Sequence, residues 1–108
     1  MVEAQKEILK ELFRDFLMYL DEFLQENDLT RSQKIFVAYV QEPVENFEGL
    51  YARGVVQVWG EYYPFEAKFD KDLKTVMLDS DVFYFHLRVE EVEEFLRNLG
   101  VVVIDERD

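Results

Sequence analysis

The sequence predicts an α+β domain, a four-stranded antiparallel meander packed against a long N-terminal helix and one or two shorter helices. Three observations predict it. Apolar residues recur at spacings of three and four through residues 2–27, the period changes to two from Gly49, and a short acidic helical pattern follows Arg88. With 108 residues, 49% of them hydrophobic and 16% aromatic, the chain fits one domain, 1–108, able to build a core without staples.

In the first element Leu9, Leu12, Phe16, Tyr19 and Phe23 form one apolar row, and Phe13, Leu17, Leu20 and Leu24 form a second beside it. Glu3 with Lys6, Glu7 with Lys10, and Glu11 with Arg14 add favourable pairs along the same helix. So wide a stripe either packs on two neighbours in one core or offers its first row, Leu9, Leu12, Phe16, Tyr19 and Phe23, as the seam of a homo-oligomer. Asn27 and Asp28 end the helix, and Thr30 to Gln33 has the form of a capping box. Ile35, Phe36, Tyr39 and Val40 then share one side of a helix, so residues 31–42 read as a second helix, although IFVAYV also has the branched and aromatic content of a strand. Pro43 closes this element in either case.

From Gly49, Ala52, Val56 and Val58 alternate with Tyr51, Arg53, Gln57 and Trp59. After Gly60, Tyr63, Phe65, Ala67 and Phe69 alternate with Tyr62, Glu66 and Lys68, which makes a hairpin. Asp70 to Asp72 turns the chain into a strand from Leu73 to Leu78, and Asp79 to Asp81 turns it into another from Val82 to Leu87. Val89 begins an acidic helix with Glu90, Glu91, Glu93 and Glu94 mostly outside, Val92, Phe95, Leu96 and Leu99 inside, and Gly100 as its stop. Val101 to Ile104 has the composition of one more strand.

The alternation divides the sheet into two faces. One carries Ala52, Val56, Val58, Tyr63, Phe65, Ala67, Phe69, Phe83, Phe85 and Leu87 for packing; the other carries Tyr51, Arg53, Gln57, Trp59, Tyr62, Lys68, Tyr84, His86 and Arg88. Flat rings interleaved with cations stack unpaired bases and contact phosphates, which is the chemistry of single-stranded nucleic-acid binding. Tyrosine and tryptophan also stabilise sheets for their own sake, and a helix, a protein partner or a second copy are other covers for this face.

No catalytic constellation accompanies it. The single histidine, His86, and the absence of cysteine exclude His-rich and thiolate metal sites, and the DKD and DSD segments lack the glycine and terminal glutamate of a calcium loop. No Gly-rich phosphate loop or nucleophile elbow is present, so the expectation is a protein that is not an enzyme and uses no metal or cofactor. No apolar run approaches the length of a spanning helix, and the cysteine-free composition fits a reducing, cytoplasmic setting. Abundant charge with few glycines and prolines is compatible with a thermophile source.

The net charge is −12, yet residues 49–88 hold six carboxylates (Glu61, Glu66, Asp70, Asp72, Asp79 and Asp81) against five cations (Arg53, Lys68, Lys71, Lys74 and Arg88). Acid elsewhere repels nucleic acid at long range, while screening over about 8 Å lets a local patch act at contact. The glutamates at 42–48 and 90–94 give the alternative, an acidic protein-interaction or assembly module, including one that imitates nucleic-acid phosphates.

The segment YARGVVQVWGEYYPFEAKF, preceded by helices and followed by two more predicted strands, resembles the ThermoDBP-related single-stranded DNA-binding proteins of thermophilic archaea. The similarity is one of organisation over residues 1–100. It implies four antiparallel strands folded against helices, an aromatic and basic cleft for single-stranded nucleic acid, and multimers built through helices. It also implies stacking roles for Tyr51, Trp59, Tyr62 and Tyr84 and phosphate roles for Arg53, Lys68 and Arg88.

Overall fold

The computed structural model describes the backbone of residues 2–27 and 35–101, and within those ranges the side chains from residue 9 onward. The amphipathic N-terminal segment forms two helices, α1 (Val2–Met18) and α2 (Leu20–Glu26), where periodicity predicts one. They part at Tyr19, whose N–H is shared between the carbonyls of Asp15 and Phe16 at 3.2 Å each, a tightening of the last turn of α1. Asn27 then ends α2, with its backbone and side-chain N–H groups both donating to the Phe23 carbonyl.

The described residues 35–88 form a six-stranded antiparallel sheet: β1 (Ile35–Val40), β2 (Val44–Asn46), β3 (Gly49–Val58), β4 (Glu61–Asp70), β5 (Thr75–Ser80) and β6 (Tyr84–Arg88). The strand order is β1-β3-β4-β5-β6, with β2 sharing the β1 side of β3. The four predicted strands are therefore present as a meander, with two more on its first edge. The expected helix over residues 31–42 is corrected to strand β1 where it is described; the predicted capping box at Thr30 to Gln33 lies outside the described residues. Branched and aromatic side chains suit a pleated edge, and the β1 backbone finds its partners in β3, from Ile35 opposite Val58 to Val40 opposite Gly54.

The β1 ladder slips between Val37 and Tyr39, leaving Ala38 as a bulge. Beside it the Val37 N–H donates to Asp21 Oδ1 on α2 at 2.5 Å, which satisfies an amide on the edge strand. Strands β3 and β4 pair over their whole length, from Gly49 opposite Asp70 to Val58 opposite Glu61. At Gly54 an added Cβ meets the Phe65 ring at 2.4 Å and the Tyr39 carbonyl oxygen at 2.5 Å, so only glycine admits this ring against the sheet.

Asp70 Oδ1 accepts from the amides of Asp72 and Leu73, which makes the predicted turn, and β5 starts two residues later than the apolar pattern at Leu73 indicates. In the next turn the Ser80 N–H donates to the Phe83 carbonyl, and β6 begins at Tyr84 rather than Val82. Helix α3 (Val89–Asn98) follows without a break, its first turn closed by Arg88 N–H donating to Glu91 Oε2 at 2.7 Å. Glu93, expected outside, is buried on α3. Of the proposed final strand only Val101 is described, and it is not in a strand; the rest lies outside the described residues.

The helices bury one face of the sheet. Phe13, Phe16, Leu17, Leu20, Leu24, Val92 and Leu96 meet Ala52, Val56, Phe65, Ala67, Val76 and Leu78 in a single core. The Phe23 ring packs edge-on against Phe16, Phe85 and Phe95 at 5.0 to 5.3 Å, inside the range of favourable aromatic pairs. Of the residues offered as an oligomer seam, Leu12, Phe16 and Phe23 are buried in the chain's own core, and Leu9 and Tyr19 pack against it. Both rows of the first helix are used within one chain.

Candidate functional site

The opposite face of the sheet has none of its described side chains buried. Antiparallel register arranges them in rows across the strands, because directly opposed residues point the same way. One row runs Val44, Tyr51, Lys68, Met77 and His86. The next runs Arg53, Glu66, Asp79 and Tyr84, and a third sets Asp70 and Thr75 beside Arg88. Toward the β3–β4 hairpin lie Tyr39, Val55 and Pro64, then Phe36, Gln57 and Tyr62.

The sequence-predicted residues thus separate into a polar half and an aromatic half. Tyr51, Arg53, Lys68, Tyr84, His86 and Arg88 come together, and all but Tyr84 and Arg88 line a groove of about 600 Å³ with Thr75 and Met77. Gln57 and Tyr62 stand apart from the Tyr51 row, six residues along β3, or about 20 Å at the usual rise of a strand. Trp59 leaves the face altogether. With φ of 52° it takes the first central position of the two-residue turn, followed by Gly60 at 83°, and its ring is exposed at the hairpin tip. Positive φ at both positions is what a tight hairpin with native twist demands.

Sequence reasoning missed Phe36 and Tyr39, exposed on this face from β1. Their spacing of three is a helical signature, and here it arises because the bulge at Ala38 returns Tyr39 to the side that Phe36 occupies. The signal that finds them is the branched and aromatic content of IFVAYV, weighted above its spacing.

Charges on the polar half are partly compensated. Arg53 Nε donates to the Tyr51 hydroxyl at 2.7 Å and lies 3.8 Å from Glu66 Oε2. The hydrogen bond to Tyr51, with the Glu66 carboxylate nearby, raises the Arg53 pKa above its ordinary value. Tyr51 in turn donates to Glu66 through a short hydrogen bond. Arg88 Nε stands 3.9 Å from Glu91 Oε2, and the Tyr84 hydroxyl donates to Met77 Sδ at 3.4 Å. Lys68 makes no ion pair among the described residues and is exposed. At the aromatic end Tyr63, on the packing side, donates to Glu61 at 2.7 Å, which raises its pKa because a phenolate there meets a carboxylate.

The open surface thus combines exposed rings with three cations, Arg53, Lys68 and Arg88, and three carboxylates, Glu66, Asp70 and Asp79, a flat and mixed surface unlike an enclosed apolar pocket. Among the described residues no group of three or more His, Cys, Asp or Glu side chains stands ready for a metal ion, and no helix is long and apolar enough to cross a membrane. Comparison with protein-family models, curated proteins and solved structures finds no match for this chain.

Proposed function

We propose that this protein is a non-enzymatic binder of single-stranded DNA or RNA with little sequence preference, using the open face of its sheet. The observation that carries the reading is one continuous face with no buried side chain, bearing Arg53, Lys68, Tyr84, His86 and Arg88 in one half and Phe36, Tyr39 and Tyr62 in the other. Bases stack on the rings, each stack contributing about 1 to 3 kcal/mol, and the cations meet the backbone. This is also the function implied by the resemblance to the ThermoDBP-related proteins, with Phe36 and Tyr39 added to the face and Trp59 moved to its rim.

A fluorescence-anisotropy titration with labelled oligonucleotides tests it. Binding at low salt is expected, similar for mixed sequences, and weakening as salt rises because phosphate contacts release counterions. Tyr62→Ala removes an exposed ring that supports nothing in the core, and lowers affinity about 5- to 150-fold if it carries one full stack. Absence of binding at high micromolar protein and low salt sinks the reading.

One observation favours a second reading, an interaction or assembly module. The two rows nearest the hairpin, Phe36 to Tyr62 and Tyr39 to Pro64, carry no charge, which suits an apolar protein surface or a second copy. Light scattering that finds a dimer disrupted by Phe36→Ala, together with silent oligonucleotide titrations, selects it.

A further inference from the structure

Arg53 stands near the middle of the open face, and its neighbours decide which of its donors remain for a ligand. Its Nε–H is used by the Tyr51 hydroxyl at 2.7 Å, and that hydroxyl passes its own proton toward Glu66 Oε2. The guanidinium carbon lies 5.9 Å from the centre of the Tyr51 ring, so ring and hydroxyl both engage the same arginine. Direct contact with Glu66 is long, at 3.8 Å from Nε, and no bidentate carboxylate pair forms. The Nη groups, which hold four of the five N–H donors of a guanidinium, have no partner among the described residues, and the side chain is 67% exposed.

A guanidinium tethered along one edge has less freedom to lose when it meets an anion than one swinging on a free stem. The remaining donor pair matches two oxygens of a phosphate. Tyr51, by contrast, has its hydroxyl and one ring side committed, unlike the more exposed Tyr62 and Tyr84. Resting on the nucleic-acid reading, we infer that Tyr51 and Glu66 form a positioning relay that presents the Nη pair of Arg53 to one backbone phosphate. Tyr51 acts there through its hydroxyl and not as a platform for a base.

Tyr51→Phe separates the two roles, since it keeps the ring and removes only the hydroxyl. Titrated against a labelled oligodeoxythymidylate of about 12 nucleotides, it is expected to bind about 3- to 10-fold more weakly than the wild type. Its plot of log affinity against log salt is expected to be shallower by up to about 0.7, the counterion release of one phosphate on a single strand. Arg53→Ala gives a loss at least as large, and adding Tyr51→Phe to it gives no further loss, because the relay has nothing left to hold.

In the free protein the Arg53 Nε–H signal is expected to exchange slowly in the wild type and quickly in Tyr51→Phe, a readout that needs no ligand. Wild-type affinity and slope in Tyr51→Phe, with a loss in Tyr51→Leu, identify a stacking ring; that outcome overturns the inference and leaves the nucleic-acid reading intact. An unprotected Nε–H in the wild type overturns the relay on its own. Failure of the wild type to bind the oligonucleotide removes the nucleic-acid reading first, and the phosphate role with it.

Discussion

At the scale of single residues, Trp59 is the side chain whose placement is hardest to explain by packing. It holds φ of 52° in a position that hairpins fill with asparagine or glycine, and the residue is 62% exposed. The left-handed conformation costs an ordinary L-residue about 1 to 2 kcal/mol, and little burial offsets it. Trp59→Gly is therefore expected to raise the free energy of unfolding by about 1 kcal/mol, read from urea denaturation. The same variant is expected to weaken oligonucleotide binding, because the indole projects at the rim of the aromatic half. A variant that is less stable and binds as well as the wild type shows that the indole serves the hairpin. Strain kept for a ligand gives the opposite pair of results.

At the scale of elements, Phe23 joins α2 to the far edge of the sheet and to α3, since its ring meets Phe85 on β6 and Phe95 on α3 as well as Phe16. Phe23→Ala opens a cavity among three rings and is expected to destabilise the fold by about 3 to 5 kcal/mol, measured by chemical denaturation. A seam residue gives another outcome, a change of mass in light scattering with little change in the unfolding of each chain. The same elements show what the sequence makes legible. Alternation through Tyr51 to Lys68 assigns a packing face and an open face correctly, because an uninterrupted ladder forces every second side chain to one side. It fails where the ladder is interrupted. The bulge at Ala38 gives β1 a spacing of three, and the turn at Trp59 ends the strand one residue before the pattern does. The break at Tyr19 was equally hidden, since Leu20, Phe23 and Leu24 continue the apolar rows on the far side of it. Partners between strands, such as Glu66 opposite Arg53, follow from register, which no local pattern encodes.

At the scale of the whole molecule, the charge of −12 and the near-neutral open face act in opposite directions as salt changes. Carboxylates on the helices and on the turns flanking β2 repel one another in the folded chain, and compaction brings them closer than they stand in the unfolded ensemble. Raising ionic strength from about 0.01 M to 0.1 M shortens the screening length from about 30 Å to 10 Å, which reaches repulsions spread over a domain. The thermal midpoint is therefore expected to rise with sodium chloride over this range. On the proposed nucleic-acid reading, oligonucleotide affinity is expected to fall over the same range, since phosphates meeting Lys68, Arg53 and Arg88 would release their counterions. Calorimetry and anisotropy on one set of buffers compare the two trends directly. If affinity rises with salt alongside the midpoint, the dominant effect of salt on binding is relief of repulsion between the acidic body and its ligand. The cationic contacts on the open face are then too few to govern recognition, and the uncharged rows from Phe36 to Tyr62 become its main surface.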